Sequence, residues 1–430
     1  MKKILIISYF FPPSNFAGSH RLKAFAKYLH LFGYWPVVVT RNWDVPIEQW
    51  SDMSRSTGED VIHQKFDHYE VYYLPYKANW RDKLYVKFGE KRFVILRKFM
   101  TLIELVFQNF TNRVIPFRNI YEFSSNLLKN DSEIKFAIIS GKPFVLFRFG
   151  YLLNKKFGLR WTADYRDEWN VSPWNKSSLQ YYLLRKLESQ SERKWVGSAA
   201  YILSVSDKWC ESIALFTNKK GYVIMNGFDE DDYEIFFAER FFDNFTITYN
   251  GTLYDTQPVE LFIEAFRQLA DEYKNRTHLH LLFPGLAIDH KRSLQVQTML
   301  KGYERHYEIL GRIPKEKVIE MQLRSHVLLM IAHKNITGTH SSKIFEYLAC
   351  HKPILLCPGD CDVLDAIVKE TGAGVICNTV GEAKETLKQY IEQFLKHGSI
   401  TFSPAVEITQ YSRKYQTEKL ARIIDGYWEN

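Results

Sequence analysis

Short apolar runs alternate with helical patterns along almost the whole chain, and this alternation limits the folds open to it. The apolar run KILIISYFF is followed by a loop, a helical apolar face over residues 21–29, Gly33 and a second apolar run, PVVVT. Strand, loop, helix and strand in this order form a βαβ unit. Similar strand candidates recur as far as Cys377. The pattern predicts open α/β sheets with helices on both faces.

The alternation falls into two series, which predicts two Rossmann-like, doubly wound domains. The first series ends at residues 223–225, where the turn NGFD and an acidic run follow, and the second begins with a strand at 247–249. We therefore place one domain at 1–228 and another at 229–405. A chain of 430 residues with 46% hydrophobic and 25% charged content suits two globular domains and excludes general disorder.

A basic, aromatic-rich insertion at 77–120 interrupts the alternation. Ten basic and three acidic residues lie between Lys77 and Arg118, a net charge of +7 beside +8 for the whole chain. Aromatic and aliphatic residues stand between these charges, among them Trp80 and Phe99. Such a segment suits an anionic membrane interface, another acidic partner, or a helix pair packed on the domain with a solvated basic face. The sequence leaves these three interpretations open.

Several protein classes are disfavoured. No apolar run reaches the roughly 18 residues needed to cross a bilayer, and the basic start followed by a short apolar run reads better as a strand than as a secretory signal. The five cysteines form no C-x-x-C pair, and their odd number indicates reduced thiols in a cytoplasmic protein. A metal site at Cys357 and Cys361 is disfavoured because no second pair accompanies them.

The loop FFPPSNFAGSH after the first strand carries candidate binding residues. Gly18, Ser19 and His20 lie where the following helix begins, and amides at this position attract a phosphate or a sugar hydroxyl. The loop lacks the three glycines of a dinucleotide fingerprint, which disfavours NAD.

The segment WTADYRDEW follows another strand and collects charged residues. Asp164 and Asp167 are candidate catalytic carboxylates, because a carboxylate at a strand end can accept a proton from a hydroxyl. Arg166 can keep such a group ionised or contact a phosphate. The alternative is an Asp–Arg ion pair that stabilises the loop.

Two segments of the second domain predict a phosphate site. In NGTLYD, Gly251 lets the backbone approach a ligand closely, although a plain turn is the alternative. In GTHSSKIFEYLA, Ser341, Ser342 and Lys343 lie at or near the start of a helix, where they can neutralise a diphosphate. Glu346, one turn further on, can accept the two hydroxyls of a ribose. A capped helix with a surface Lys–Glu pair is the alternative.

The segment SSKIFEYLACHKPIL resembles the nucleotide-sugar-binding helix of retaining GT-B glycosyltransferases of family 4, or group 1. Other segments agree in order along the chain, namely KILIISYFFPPSNFAGSHR, ADYRDEW, MNGFDEDDY, YNGTLYD and LGRIPKEKV. The resemblance implies two Rossmann-like domains facing a cleft. It also implies that the terminal helix at 406–430 returns to the first domain.

The same resemblance assigns roles to individual residues. Asp164 would lie near the reacting centre with Asp167 in reserve, and Glu346 would hold the ribose. Acceptor contacts would come from Ser19, His20 and Arg166. The donor site would be formed by Gly18, Gly251, Thr252, Ser341, Ser342 and Lys343. Two departures stand out: Gly338 occupies a position where many members carry Glu, and Arg312 would replace a basic residue missing after the Gly251 turn.

The predicted activity is transfer of a sugar from a nucleotide diphosphate sugar to a saccharide or lipid-linked acceptor, with retention, in bacterial surface polysaccharide biosynthesis such as that of capsule, exopolysaccharide or lipopolysaccharide. Positive side chains would stabilise the departing diphosphate, so we expect neither metal nor cofactor. The protein would be cytoplasmic, with peripheral association on the inner face of the membrane. The alternatives are a nucleotide-sugar 2-epimerase and a catalytically inactive, membrane-associated assembly factor. Nucleic-acid binding is disfavoured because no binding motif accompanies the basic segment.

Overall fold

The chain divides into two compact units. The structure, a computed structural model, describes residues 1–14, 16–44, 50–170, 179–234, 240–339, 341–402, 406 and 408–428. Unit 1 comprises Met1–Met225 with Arg413–Asn430, and unit 2 comprises Asn226–Ser412. No helix among the described residues is both long and apolar enough to cross a lipid bilayer.

Unit 1 is built on an eight-stranded sheet with the order β3-β4-β2-β1-β5-β6-β7-β8. Neighbouring strands are parallel except β3, which pairs antiparallel with β4. The strands are β1 (Lys2–Ser8), β2 (Tyr34–Arg41), β3 (Ile62–Lys65), β4 (Glu70–Leu74), β5 (Phe136–Ser140), β6 (Arg160–Tyr165), β7 (Tyr201–Ser204) and β8 (Gly221–Val223).

Helices connect these strands. They are α1 (Ala17–Tyr28), α2 (Trp80–Phe88), α3 (Val94–Phe107), α4 (Asn119–Asn130), α5 (Leu146–Phe157), α6 (Leu179–Val196) and α7 (Asp207–Thr217). Helix α1 shows why its sequence folds this way, since Leu22, Phe25 and Ala26 share one helical face and are buried against the sheet with Ile4 and Ile6 of β1.

Unit 2 has a six-stranded parallel sheet with the order β11-β10-β9-β12-β13-β14. The strands are β9 (Phe245–Thr248), β10 (Leu279–Phe283), β11 (Tyr307–Ile309), β12 (Val327–Met330), β13 (Ile354–Leu356) and β14 (Gly374–Ile376). The helices are α8 (Asp231–Glu234), α9 (Glu260–Tyr273), α10 (His290–Met299), α11 (Lys315–Arg324), α12 (Lys343–Ala349), α13 (Val363–Thr371) and α14 (Val380–His397).

The last helix, α15 (Arg413–Trp428), belongs to unit 1. Its buried residues Leu420, Ala421 and Ile424 join the core cluster that contains residues of β1 and α1. The side-chain oxygen of Gln416 accepts a hydrogen bond from the backbone N–H of Met225 at 2.9 Å. The chain therefore leaves unit 1 after one segment and completes it with another.

Each sheet has one strand at which the direction of winding reverses. In unit 1, β1 lies between β2 and β5, and in unit 2, β9 lies between β10 and β12. Ligands of open α/β sheets bind outside the carboxyl ends of the strands at such a point, because the loops there diverge. The predicted α/β class with two mostly parallel sheets is confirmed.

Candidate functional site

In unit 2 the reversal point brings together the turn after β9 and the helix α12 that follows β12. Gly251 in this turn has a φ of 91°, a conformation that favours glycine. A β-carbon on Gly251 would lie 3.0 Å from Cε of Lys343. The backbone N–H of Gly251 donates to the carbonyl oxygen of Pro284 at 2.7 Å, which ties the turn to the loop after β10. The sequence predicted that Gly251 permits a close approach to its backbone, and in the structure the aliphatic stem of Lys343 lies close to it.

The ammonium group of Lys343 is held above this turn. It donates to the hydroxyl oxygen of Tyr249 at 3.0 Å and to the carbonyl oxygen of Thr252 at 3.4 Å. It also lies 4.5 Å from the centre of the Tyr249 ring, a distance suited to a cation–π contact. These contacts place a positive charge at the carboxyl end of β9 and bring two predicted donor-site residues, Thr252 and Lys343, together.

Two further residues of α12 attach the helix to the same turn. The side-chain amide of Asn250 donates to Oε2 of Glu346 at 3.3 Å, and its backbone N–H donates to the hydroxyl oxygen of Tyr347 at 3.0 Å. Tyr347 is fully buried, and burial raises the pKa of its hydroxyl well above the usual value. Side chains of α12 thus bond to Tyr249, Asn250 and Thr252, which follow β9.

Ser341 and Ser342 precede the helix as predicted. Ser342 is the residue before the first helical position, and the hydroxyl of Ser341 accepts a hydrogen bond from the backbone N–H of Lys343 at 3.4 Å. Asn15 and His340, which belong to the two loops identified from the sequence, lie outside the described residues.

The loop before α12 is fixed by carboxylates of the loop after β13. The backbone N–H of Gly338 donates to Oδ2 of Asp362 at 2.6 Å. Asp362 is itself held by Asp360, whose carboxylate accepts hydrogen bonds from the backbone N–H groups of Asp362, Leu364 and Asp365. Burial raises the pKa of Asp360, and these hydrogen bonds oppose that shift. A carboxylate therefore lies at Gly338 although the sequence has none at that position.

Arg312 lies in the loop after β11, on an exposed position. The carbonyl oxygens of Leu310 and Gly311 accept hydrogen bonds from the backbone N–H of Gly285, each at 3.1 Å. A β-carbon on Gly285 would lie 3.1 Å from Cα of Gly251. The loop that carries Arg312 thus contacts the Gly285 loop, and the Gly285 loop contacts the Gly251 turn.

In unit 1 the two predicted catalytic carboxylates differ in environment. Asp164, at the end of β6, is fully buried and forms an ion pair with Arg21 at 2.8 Å, while its Oδ2 accepts a hydrogen bond from Ser140 at 2.9 Å. Asp167 is partly exposed and lies 3.2 Å from Nζ of Lys142. The buried pair corresponds to the alternative left open from the sequence, with Arg21 rather than Arg166 as the partner.

Arg166 lies against the start of α1. A β-carbon on Gly18 would lie 1.5 Å from Nη1 of Arg166, so only glycine leaves room for this guanidinium group. Nε of Arg166 donates to the carbonyl oxygen of Gly141 at 3.3 Å, and the group lies 5.3 Å from the ring centre of Phe10. Burial lowers the pKa of Arg166, and the charges of Asp167 and Asp164 oppose that shift.

Ser19 and His20 follow Gly18 in α1. Ser19 is fully buried, and its hydroxyl has no hydrogen-bond partner among the residues that the structure describes. His20 is half-buried. The structure therefore brings Gly18 and Arg166 into contact. Ser19, the next residue, is buried in the core.

Two glutamates near β6 are additional titratable groups. Burial and the charge of Asp167 raise the pKa of Glu168 to about 7. Burial also raises the pKa of Glu192 to about 7, against the effect of hydrogen bonds from Asn170 and Tyr165.

Residues 231–415 match the family model for glycosyl transferases group 1. The chain carries a group 1 glycosyltransferase domain. No curated protein sequence matches the chain closely enough to count as a relative. The group 1 domain contains the Gly251 turn, the Gly338 loop and helix α12.

Solved structures similar to the chain include three sugar-transferring or sugar-bound proteins. Sucrose-phosphate synthase from Thermosynechococcus elongatus is 12% identical, with a TM-score of 0.60 over 100% of this chain and 99% of that one. The UDP-forming α,α-trehalose-phosphate synthase from Burkholderia xenovorans, solved with glucose-6-phosphate, is 10% identical, with a TM-score of 0.62 over 98% and 100%. Anabaena HepE, solved with UDP and glucose, is 13% identical, with a TM-score of 0.58 over 99% and 100%.

These likenesses concern the fold, and they extend over both units of the chain. The GT-B fold class and the identification of a glycosyltransferase from the sequence are confirmed by the group 1 domain and by this shared fold.

Sequence reasoning missed several residues that hold the group 1 site together. Tyr249, Asn250 and Tyr347 support Lys343 and Glu346, and Asp362 holds the Gly338 loop. An Asn-Gly pair directly after a strand was a usable signal for Asn250. No local pattern pointed to Asp362, which is 24 positions from its partner.

Proposed function

We propose that the chain transfers a glycosyl group from a nucleotide diphosphate sugar to a hydroxyl group of a saccharide or a lipid-linked acceptor, with unit 2 binding the donor. One observation carries the proposal. A lysine ammonium and a glutamate carboxylate, one helical turn apart, flank a glycine turn at the winding reversal of the group 1 domain.

Lys343 is suited to the diphosphate. The residue is half-buried, and its ammonium donates to two acceptors within the described residues. An ammonium next to a phosphoryl oxygen stabilises the charge that develops on a leaving diphosphate. The positive φ at Gly251 favours glycine, and glycine has no side chain that would block this approach.

Glu346 is suited to the ribose. Its Oε2 is 3.3 Å from Nδ2 of Asn250, a long hydrogen bond that a sugar hydroxyl can replace. A carboxylate can accept from two neighbouring hydroxyl groups at once. The i and i+3 positions of Lys343 and Glu346 keep both side chains on the same side of α12.

The acceptor side of the proposal rests on unit 1. Gly18 and Arg166 form a fixed contact at the carboxyl edge of the sheet, and Asp167 presents the more accessible of the two predicted carboxylates. We assign acceptor binding to Arg166 and His20, and proton transfer to Asp167. Ser19, expected from the sequence to contact the acceptor, is fully buried and is not assigned that role. Asp164 acts through its ion pair with Arg21 as a positioning residue.

The choice of donor and acceptor completes the proposal. The trehalose-phosphate synthase is described as UDP-forming and HepE was solved with UDP, so a UDP-sugar is the first donor to test. Retention of the anomeric configuration and a role in surface polysaccharide synthesis belong to the same proposal. A lipid-linked acceptor would bring the enzyme to the cytoplasmic face of the cell membrane.

The donor is tested by the melting temperature of the purified chain with UDP-, GDP-, ADP- and CMP-sugars. A ligand that binds only the folded state at about 100 times its dissociation constant stabilises by about 2.7 kcal/mol. One sugar nucleotide should raise the melting temperature. If none does, and none is turned over, the proposal is wrong.

Variants then test the two residues. Lys343→Met and Glu346→Gln should each lower kcat/KM by about 100-fold. Lys317→Met and Glu264→Gln serve as controls, because these are exposed ion-paired residues elsewhere in unit 2. Free nucleotide released without a glycoside product would point to an epimerase, and donor binding without transfer would point to an inactive assembly factor.

A further inference from the structure

Helix α3 carries its apolar side chains outward. Ten of its fourteen residues are apolar, yet none of the fourteen is buried. Ile95, Phe99, Ile103 and Phe107 recur every four residues and therefore share one face. Ile95 exposes 86% of its surface and Phe99 58%. A helix packed on a core would show the opposite arrangement.

The partly buried side of α3 carries polar groups that contact α2 and the residue before it. Glu104 accepts an ion pair from Arg81 at 2.8 Å and a hydrogen bond from Asn79 at 3.2 Å. The guanidinium of Arg97 lies 4.7 Å from the ring centre of Tyr85. Two of the charged groups of α3 are thus half-buried, whereas Ile95 and Phe99 are exposed to solvent.

Buried contacts fix this orientation. Arg148 of α5 is buried and donates to the carbonyl oxygens of Asn109 and Phe110 at 2.8 and 2.9 Å, and to the side chain of Asn112 at 2.8 Å. At the other end, the hydroxyl of Tyr76 donates to the buried carboxylate of Asp82 in α2. The outward face is therefore presented by a structured helix pair rather than by a loose segment.

Exposed cations lie on the same two helices as the apolar face and on the turn between them. Lys83 and Lys87 of α2, Lys91 and Arg92 of the connecting turn, and Lys98 of α3 are all exposed. The surrounding stretch from residue 77 to 118 has a net charge of +7. An exposed apolar face next to exposed cations is the arrangement of interfacial helices, in which apolar groups enter the lipid and cations meet head groups.

We propose that α2 and α3 dock unit 1 on an anionic lipid bilayer, with α3 lying in the head-group layer. Charge complementarity selects this occupant. A second copy would bring the same net charge of +7 against this face, and an acidic protein would match the cations without requiring so many exposed aliphatic groups. At about 21 Å, α3 is too short to cross a bilayer. The apolar docking face consists of Trp80, Ile95, Phe99, Ile103, Phe107 and Phe110.

Co-sedimentation of the full chain with vesicles tests the proposal. Vesicles of phosphatidylglycerol and phosphatidylcholine should bind the chain, vesicles of phosphatidylcholine alone should bind it poorly, and added salt should weaken binding. The variant Ile95→Ser/Phe99→Ser should bind at least about tenfold more weakly, because it removes apolar area from the interface.

Two matched controls distinguish binding through this face from nonspecific adsorption to vesicles. Leu215→Ser changes a residue of α7 that is 87% exposed, close to the 86% of Ile95, and should leave binding unchanged. Lys83→Gln/Lys87→Gln/Lys91→Gln should weaken binding, whereas Lys23→Gln/Lys155→Gln/Lys301→Gln, which removes the same charge elsewhere, should weaken it less.

Other outcomes overturn the proposal. Equal binding to charged and uncharged vesicles, or equal binding by Ile95→Ser/Phe99→Ser and Leu215→Ser, would show that this face is not the lipid contact. A concentration-dependent dimer in sedimentation velocity that Ile95→Ser/Phe99→Ser abolishes, without vesicle binding, would assign the face to a second copy. Melting curves of the variants should match that of the parent chain, since none of the changed side chains is buried.

Discussion

The ammonium nitrogen of Lys343 lies 3.0 Å from the hydroxyl oxygen of Tyr249 and 4.5 Å from the centre of its ring. Tyr249 is itself buried and also hydrogen-bonds to the carbonyl oxygen of Thr252 at 3.0 Å. A buried aromatic side chain thus sets the position of the cation that we assign to the donor diphosphate.

Removal of the Tyr249 hydroxyl should weaken donor binding. In Tyr249→Phe the ring remains under Lys343, but the hydrogen bond to a charged donor, worth about 1 kcal/mol or more, is lost. We expect about a fivefold rise in the donor dissociation constant, measured by calorimetry. Tyr273→Phe is the control, because this buried tyrosine bonds to Glu392 instead. Equal effects of both changes on the donor dissociation constant would mean that the Tyr249 hydroxyl has no specific role in donor binding.

The Gly251 turn should tolerate no side chain. Gly251 and Gly302 have φ values of 91° and 90°, so alanine strains both positions equally, by about 1 kcal/mol. A β-carbon meets Lys343 at Gly251 and open space at Gly302. Both variants should therefore lose stability in urea unfolding, while only Gly251→Ala loses donor binding, by about tenfold or more. Unchanged donor binding in Gly251→Ala would contradict this.

The contact between Gly18 and Arg166 allows a parallel experiment in unit 1. Gly18 and Gly381 are both the second residue of a helix, α1 and α14. In Gly18→Ala the new methyl group displaces the guanidinium of Arg166, whereas Gly381→Ala meets no atom within 4 Å. We expect the acceptor KM to rise in Gly18→Ala alone, by about tenfold. A normal acceptor KM would mean that Arg166 does not bind the acceptor.

Asp362 should act by holding the Gly338 loop. Asp362→Ala removes the acceptor of the Gly338 N–H and should weaken donor binding, whereas Asp362→Asn keeps an acceptor oxygen and should retain most of it. Asp289→Ala also deprives a backbone N–H, that of Arg292, of its carboxylate acceptor and serves as a control for stability. Identical donor affinities of Asp362→Ala and Asp289→Ala would mean that Asp362 does not contribute to donor binding.

Stability at mildly acidic pH should depend on His326. This buried imidazole accepts a hydrogen bond from the backbone N–H of Thr246 at 3.1 Å, and burial lowers its pKa to about 4 from 6.5. The unfolded chain therefore binds a proton between these values and the folded chain does not, so stability present above pH 6.5 is lost as the pH falls toward 4, by up to about 3 kcal/mol.

The variant His326→Asn tests this. Its side-chain oxygen can accept the same hydrogen bond but does not titrate. The variant loses the ring contacts with Phe241, Phe245 and Phe394, so its melting temperature should be lower at neutral pH. Its melting temperature should also change less between pH 6.5 and 4. Parallel curves for parent and variant would exclude His326 as the titrating group.

Local patterns predicted much of the fold. Strand β5 is a fully buried apolar run and α6 has a long helical pattern, so both elements can be predicted from local sequence. Strand β3 was missed, since its sequence IHQK lies exposed at the sheet edge and carries no apolar pattern. Its position depends on antiparallel pairing with β4 rather than on its own residues.

The candidate site was predicted only where its parts are close in sequence. Lys343 and Glu346 could be found from helical spacing and from the resemblance. The partners of Asp164 and Gly338 could not, because Arg21 and Asp362 lie 143 and 24 positions away and are brought near by tertiary packing. The sequence likewise predicted a basic, aromatic-rich insertion at 77–120, but not which side chains of α3 are exposed.

The return of α15 to unit 1 has a consequence for synthesis on the ribosome. Leu420, Ala421 and Ile424 complete a core that begins with β1, so this core lacks three buried side chains until α15 has been translated. Unit 2 lies entirely between the two segments of unit 1 and has no such requirement. The amino-terminal unit, although translated first, is therefore the last to be finished, and nascent chains stalled before residue 413 would expose an unfinished unit 1 beside a complete unit 2.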